Sequence, residues 1–355
     1  MKGRVVAFGQ VAGQGAAALI VDGRLEDLLL DPPEAAGPGP GAILRAVADR
    51  PMKGQGGIFV RLPEGNGFLR QGAGVSAGKP LLVQVTGPAE PGKAVPVSTR
   101  LLFRSRYVIL TPGAPGLNIA RGIKDEDARA RLGALAAAGM AGAAEDLGLI
   151  LRSACAVAED DEIAEDLAET RALAEAVCAD LAGPPELLVD APDAALAAWR
   201  DWAEPAPDEI RDDARAFADL GLDEAIEALL SPAVALTGGG RMFIEPTRAL
   251  IAVDVNTGAD GSPAAALKAN IAAARELPRQ LRLRGLGGQV VVDFAPMPKR
   301  DRATMDQVLR AAFRHEAAET TLAGWTPLGN YELQRKRDRW PLAAQLAAET
   351  PETSQ

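Results

Sequence analysis

Apolar and polar positions change rhythm several times along this chain. At the N-terminus, Arg4–Phe8 and Ala16–Val21 are apolar runs split by Gly/Gln turns, which predicts a hairpin, and Gly23 turns the chain into Leu25–Leu30. Asp31–Gly41 (DPPEAAGPGPG) reads as a Pro/Gly linker. Short strand-like runs follow at Gly57–Leu62, Gly67–Leu69, Leu81–Thr86, Val95–Thr99 and Tyr107–Leu110, with turn residues between them. Short strands at close spacing predict a small β-barrel, with the five-stranded oligonucleotide-binding type as the obvious candidate. Gly113–Gly116 closes it.

From Asp125 to Leu181 the period is helical, broken by an apolar run at Gly148–Leu151 and ended by Pro184 and Pro185. Glu186–Val189 predicts a strand, Asp193–Trp202 a helix, and about Asp208–Leu230 an acidic helix. In the last third, strand-like runs at Arg241–Glu245 and Ala249–Val255 flank a turn at Pro246–Arg248. A helical stretch from about Pro263 to Arg284 is stopped by Gly285, Gly287 and Gly288. The run QVVVDF (Gln289–Phe294) predicts a buried strand, and a helix at about Arg302–Ala318 and a basic segment at Gln334–Arg339 complete the module.

The 355 residues are enough for two or three domains and for a core that needs no disulfide or metal staple. No signal segment is expected, since Gly9, Gln10, Gly13 and Gln14 interrupt the first apolar run. No apolar stretch approaches the roughly 18 residues of a membrane helix. Two cysteines, Cys155 and Cys178, and one histidine, His315, cannot build a structural zinc site, and sparse cysteine fits a cytoplasmic, reducing location. A Ser-His-Asp triad could use only His315, which reads as a surface residue among Arg310, Arg314 and Glu316. The net charge of −10 argues at first against nucleic acid, but its distribution changes that. Met1–Met140 holds 17 basic and 11 acidic residues (+6), Ala141–Leu230 holds 5 and 24 (−19), and Arg241–Trp340 holds 16 and 11 (+5). Only the two flanking modules have the electrostatics to hold phosphates.

In IAVDVN, alternation puts Asp254 and Asn256 on one side and Val253 and Val255 on the other. A lone carboxylate buried inside such an apolar strand would be costly unless paired or metal-bound. Asp293 repeats the arrangement after Val290–Val292. Carboxylates ending two strands joined by a helical crossover would converge at the carboxyl edge of a sheet, where α/β folds place ligands. Two carboxylates and an amide oxygen suit a hard cation such as Mg²⁺. The plainer alternative is that both aspartates cap the following turns, Asp254 to Gly258 forming an Asx turn. Arg279, Arg282 and Arg284 lie at helical spacing and are candidates for backbone phosphates, with a solvated helix face as the alternative.

The segments AVDVNTG (Ala252–Gly258) and NIAAARELPRQLRLRGLGGQVVVDF (Asn270–Phe294) closely resemble the signature of the ribonuclease E/G family, including RQLRLR (Arg279–Arg284) and Gly287-Gly288 verbatim. The resemblance implies an α/β protein: a ribonuclease H-like fold with an inserted OB-type β-barrel, plus a DNase I-like α/β catalytic subdomain. It implies that Asp254 and Asp293 bind Mg²⁺ and that Asn256 orients an aspartate or the attacking water. The implied activity is endonucleolytic hydrolysis of single-stranded RNA in RNA processing or decay, leaving a 5′-phosphate and a 3′-hydroxyl. Val21–Asp31 is similar to the family's N-terminal strand pair. Phe59, Phe68 and Lys93 match its RNA-contacting barrel positions; aromatics on a barrel face stack on bases, although barrel core is the competing reading. In GLILRSA (Gly148–Ala154), Arg152 and Ser153 match the pair that grips an RNA 5′-monophosphate, sound chemistry for an arginine fork beside a hydroxyl.

The implied domains are an N-terminal ribonuclease H-like segment at 1–40, the barrel at 41–113, a shortened 5′-sensor-like region at 114–184, a returning ribonuclease H-like segment at 185–233, the catalytic subdomain at 234–345 and a tail at 346–355. The chain departs from the family in four places. The stretch between Arg152 and Glu186 is shortened, Ser105 stands where the sensor usually has glycine, and Pro278 interrupts the helix before RQLRLR, where a kink is expected. The zinc-linking Cys-x-x-Cys has no counterpart, which implies a short form whose homo-oligomer, if formed, uses a non-zinc interface. A non-catalytic RNA-binding protein derived from the same family is the alternative reading. A small-molecule phosphatase would leave the barrel unexplained.

Overall fold

A computed structural model of the chain describes residues 2–33, 36–51, 56–70 and 74–347. Positions 34–35 of the expected linker and 348–355 of the expected tail lie outside the described residues. The chain divides into two compact units: Met1–Gly23 with Leu29–Asp213, and Arg24–Leu28 with Ala214–Gln355.

The first unit opens on the predicted hairpin. Strands β1 (Arg4–Val11) and β2 (Gln14–Val21) pair antiparallel from Arg4↔Val21 to Val11↔Gln14. Ala12 and Gly13 turn the corner at φ +50° and +83°, the left-handed pair that a two-residue hairpin loop requires. β3 (Arg24–Leu30) is divided between the units after Leu28.

The barrel is closed by five strands: β4 (Ile43–Pro51), β5 (Ile58–Arg61), β6 (Asn66–Leu69), β7 (Pro80–Val85) and β8 (Val95–Ser98). Their order is β4-β5-β6-β8-β7, with β7 returning to β4 and β6 running parallel to β8. This is consistent with an OB-type barrel. Alternation points Ala46, Ile58, Val60, Leu69, Val83 and Val85 into its core. Two features differ from the expected strands. The first strand, β4, was not among them: two of its three barrel-core positions are alanine (Ala46 and Ala48 beside Leu44), a residue depleted in strands. Arg45 is buried and held by Asp180 (2.7 Å) and Glu186 (3.1 Å). Tyr107–Leu110 is not a barrel strand. It begins β10 (Val108–Pro112), in a separate sheet with β9 (Phe103–Arg104), β11 (Leu117–Ile119) and β12 (Leu147–Leu151), ordered β11-β12-β10-β9. Helices α1 (Glu126–Gly139) and α2 (Asp160–Ala179) complete that core through Leu132, Ile163 and Leu167. β13 (Glu186–Val189) pairs with the start of β4. Next, α3 (Ala194–Asp201) covers the hairpin through Ala194, Ala198 and Trp202, and β14 (Glu209–Arg211) adds parallel to β1.

The single acidic helix expected at Asp208–Leu230 is broken. After β14 come α4 (Ala216–Asp219) and α5 (Leu222–Leu230), separated by Gly221 at φ +64°. The rest of the second unit is built on a six-stranded sheet of β15 (Ala233–Ala235), β16 (Arg241–Pro246), β17 (Ile251–Asn256), β18 (Gly288–Asp293), β19 (Thr320–Trp325) and β20 (Tyr331–Arg335), in the order β15-β16-β17-β18-β20-β19. β17 and β18 are parallel and joined by α6 (Pro263–Leu283). Ser262 caps α6 by accepting the Ala265 N–H (3.2 Å), and Pro263 stands in its first turn, where a missing N–H costs nothing. The helix continues through Pro278 rather than ending there. α7 (Arg302–Ala312) stops short of the expected Ala318, and α8 (Leu342–Ala347) follows the sheet. Val253, Val255, Val290, Val292, Ala273, Leu277, Leu281, Met305 and Leu309 form one core between sheet and helices. Among the described residues no helix is long and apolar enough to cross a membrane.

Candidate active site

The parallel pairing of β17 and β18 sets Asp254 directly beside Asp293 as register partners, which places their backbones about 4.8 Å apart. Val253 and Val255 beside Asp254, and Val292 and Phe294 beside Asp293, are buried, so alternation turns both carboxylates to the opposite, exposed face of the sheet. The expected burial inside an apolar strand is therefore corrected: the strands are apolar on one face only, and the carboxylates sit on the other. Asn256 is on the same face and donates its amide to Asp254 Oδ2 (2.5 Å), fixing that carboxylate's rotation and leaving the Asn256 side-chain oxygen available. Across β16, Phe243 lies opposite Asp254 and Arg241 opposite Asn256.

Among the described residues no group of three or more His, Cys, Asp or Glu side chains is arranged to hold a metal ion. The set in question is smaller, two exposed carboxylates and an amide. Its donors are all oxygens, and Mg²⁺ keeps several waters while taking one or two protein carboxylates, so the donor chemistry fits that ion.

A residue without an assigned role in the sequence reading supports this edge from behind. Asn270, on α6, is fully buried and clamps the backbone two residues beyond Asp293. Its Nδ2 donates to Ala295 O (2.9 Å), and its Oδ1 accepts from Ala295 N–H (2.9 Å). The signal was present in the sequence as a polar residue on the apolar face of an otherwise alanine- and leucine-lined helix.

The three helix arginines do something other than face phosphates. Arg279 donates to Leu25 O from both Nε and Nη2 and pairs with Glu276 (2.7 Å). Arg282 donates to Glu26 O (2.8 Å) and pairs with Glu316. Arg284 is 7% exposed and bonds Gln280 (3.0 Å) and Ser231 O (2.8 Å). All three guanidiniums are turned into the second unit, where they anchor Arg24–Leu28 and the helix end. Neither expected role, phosphate contact or solvated face, describes them. Arg339 completes the anchor with a two-pronged bond to Asp27 (2.5 and 3.1 Å). Burial alone would raise the Asp27 pKa, but Arg339 and Arg282 outweigh it and hold the carboxyl below its ordinary value.

On the barrel, Phe59 and Phe68 are register partners on β5 and β6, with ring centroids 5.5 Å apart. Both are half-buried on the side away from Ile58, Val60 and Leu69, so they lie outside the barrel core. Lys93 is exposed and pairs with Glu90 (2.8 Å). Arg152 follows β12 and is already engaged: it donates to Ser105 O (2.6 Å), Arg200 O (3.0 Å) and Asp201 (2.9 Å), while Ser153 beside it is exposed. Ser105 bonds Asp166 (2.5 Å). Cys155 is buried, which raises its thiol pKa to about 11 and makes it a poor nucleophile.

Comparison with known proteins adds to this geometry. The sequence model described as the ribonuclease E/G family matches residues 103–216 and 209–338. The chain is 31% identical to ribonuclease E of Nostoc sp. (strain PCC 7120) over 84% of its own length and 51% of that protein. It is 28% identical to ribonuclease G of Salmonella typhimurium (strain SL1344), over 78% of the chain and 63% of the relative. Ribonuclease E of Synechocystis sp. (strain PCC 6803) is 29% identical over 72% of the chain and 44% of its own length. The chain thus spans between half and two thirds of the length of the first two relatives.

Proposed function

Because the chain belongs to the ribonuclease E/G family, we propose that it is a Mg²⁺-dependent endoribonuclease that hydrolyses phosphodiester bonds in single-stranded RNA, leaving a 5′-phosphate and a 3′-hydroxyl. The observation that carries this reading is the side-by-side placement of Asp254 and Asp293 on an exposed sheet face, with Asn256 bonded to the first.

In this reading Asp254 and Asp293 hold the ion, and Asn256 is a positioning residue that keeps one Asp254 oxygen turned outward. Mg²⁺, when bound, supplies an acidified water and offsets charge on the phosphodiester. Asn270 and the core valines hold the two strand ends rigid, so the carboxylates need little reorganisation. Phe59 and Phe68 offer a half-exposed aromatic face for base stacking, and Lys93 can exchange Glu90 for a phosphate. Recognition of a 5′-monophosphate by Arg152 and Ser153 would require Arg152 to release Asp201 in favour of the phosphate. The arginines of α6 are assigned to scaffold rather than RNA.

The same reading assigns 1–40 and 185–233 to a ribonuclease H-like part, 41–113 to the barrel, 114–184 to a 5′-sensor-like region, 234–345 to a DNase I-like catalytic subdomain and 346–355 to a tail. It also places the protein in the cytoplasm.

The test is cleavage of a fluorescent single-stranded RNA with Mg²⁺ or EDTA, comparing wild type with Asp254→Asn and Asp293→Asn while binding is recorded in parallel. Metal-dependent cutting that both substitutions abolish, with binding retained, is expected. Tight RNA binding by wild type without any cutting would overturn the nuclease reading in favour of an RNA-binding protein.

A further inference from the structure

Next to the carboxylate pair lies a pocket that the cleavage chemistry does not use. It has a volume of about 460 Å³ and is lined by Gly238–Gly240, Thr257, Gly258 and Lys268, with Asp260 and Ser262 on its rim. Thr257 and Gly258 directly continue β17 beyond Asn256, so the pocket begins within roughly 10 Å of Asp254 at the rise of an extended strand.

Lys268 projects into this space from α6. It is exposed and forms no ion pair among the described residues. Its end lies across the glycine loop: a Cβ on Gly238 would stand 2.6 Å from Lys268 Cε and 2.9 Å from its Nζ, so a side chain there would push the flexible end of the lysine aside. A Cβ on Gly240 would strike Asn256 O at 2.6 Å, which seats the loop against the end of β17. Arg241 follows immediately and is the register partner of Asn256. The acidic group at the rim, Asp260, is turned toward the helix start, accepting the Ser262 N–H (2.9 Å) rather than pairing with the lysine. An unpaired ammonium in an open polar pocket is matched by an anion.

We propose that this pocket binds a phosphodiester of the RNA strand adjacent to the bond that is cut, with Lys268 as the principal contact. The proposal rests on the endoribonuclease reading and adds where the strand is held relative to the carboxylates. An ammonium acts here as a point charge, so it contributes affinity and register rather than base preference.

The experiment measures binding of a fluorescein-labelled single-stranded RNA in EDTA between about 50 and 200 mM salt. Lys268→Gln is expected to weaken binding severalfold and to lower the slope of log affinity against log salt by about 0.7, one phosphate contact on a single strand. Gly238→Ala displaces the lysine tip without removing its charge and is expected to weaken binding less than Lys268→Gln does, whereas Gly239→Ala is the matched control. Both glycines have positive φ (+88° and +96°), so both substitutions strain the backbone, but a Cβ on Gly239 meets nothing within 4 Å. RNAs carrying one uncharged methylphosphonate linkage beside the cut should bind wild type more weakly and Lys268→Gln no more weakly than the unmodified strand. Unchanged affinity and salt slope in Lys268→Gln would overturn the pocket and leave the nuclease reading intact if wild type cuts. RNA bound with the expected Lys268 dependence but never cut would overturn the nuclease reading and keep the pocket. A wild type that does not bind RNA would overturn both.

Discussion

Asn270 offers the sharpest test of how the second unit builds its sheet edge. The side chain is fully buried and makes two hydrogen bonds of 2.9 Å to the backbone of Ala295, itself only 4% exposed. Asn270→Leu keeps the branch point and the number of side-chain heavy atoms but removes both partners, leaving one buried N–H and one buried C=O unsatisfied. Each such group costs about 1–3 kcal/mol, so the substitution should destabilise this unit by roughly 2–5 kcal/mol. That loss corresponds to a melting point lowered by roughly 5–15 °C. Urea denaturation followed by Trp fluorescence gives the free energy, and amide hydrogen exchange at Phe294–Met297 reports the clamp itself. At a temperature where the variant remains folded, RNA cleavage should fall more than RNA binding, because Asp293 lies two residues from the released backbone. A variant within about 0.5 kcal/mol of wild type, with unchanged exchange over that segment, would refute the reasoning.

Other outcomes follow from the same structure. Asp27→Asn removes the carboxylate partner of Arg339 and should cost about 3–5 kcal/mol at neutral pH, as for other broken buried pairs. Because the folded-state pKa of Asp27 is depressed, its stabilisation is complete above the unfolded value near 3.9 and fades as pH falls through the folded one; the wild type should therefore lose more stability below about pH 4 than Asp27→Asn does, which an acid titration of urea midpoints will show. Phe59→Ala and Phe68→Ala should each weaken single-stranded RNA binding by about 1–3 kcal/mol per lost stacking platform, with little change in barrel melting because both rings lie outside its core. Gly285→Ala should destabilise the second unit by about 1–2 kcal/mol from its left-handed backbone alone, and further because its Cβ would stand 2.1 Å from Trp340 O; thermal melting measures the sum.

Much of this could be read from the chain before any fold was known. Short apolar runs in IAVDVN and QVVVDF identified two strands, and the polar residues inside them singled out Asp254, Asn256 and Asp293, because such a run needs no tertiary information to be read. Pro263 and Gly285 marked both ends of α6 for the same local reason. Where inward positions held small side chains, the local signal failed: the core positions of β4 are Leu44, Ala46 and Ala48, and so the first barrel strand was missed and Tyr107–Leu110 was given its place. The strands β19 and β20 were missed as well; no element had been expected over β19, and the end of β20 had been read as part of a basic segment.

What the sequence determined by itself was periodicity, turn chemistry and the identity of the candidate side chains. What only the tertiary structure decided was which way each polar side chain looks. The helical spacing of Arg279, Arg282 and Arg284 is equally compatible with a phosphate, with water, or with Glu26, Glu276 and Glu316. Partners supplied from 256 positions away in the Arg282–Glu26 bond cannot be seen in a local pattern. The same holds for Lys268, whose meaning depends on a glycine loop brought against it by strand pairing, and for the two aspartates, whose neighbourhood exists only because β17 and β18 lie side by side. Local sequence fixes the backbone's period through sterics and hydrogen bonding, but charge finds its partner through space, and that partner is chosen by the fold.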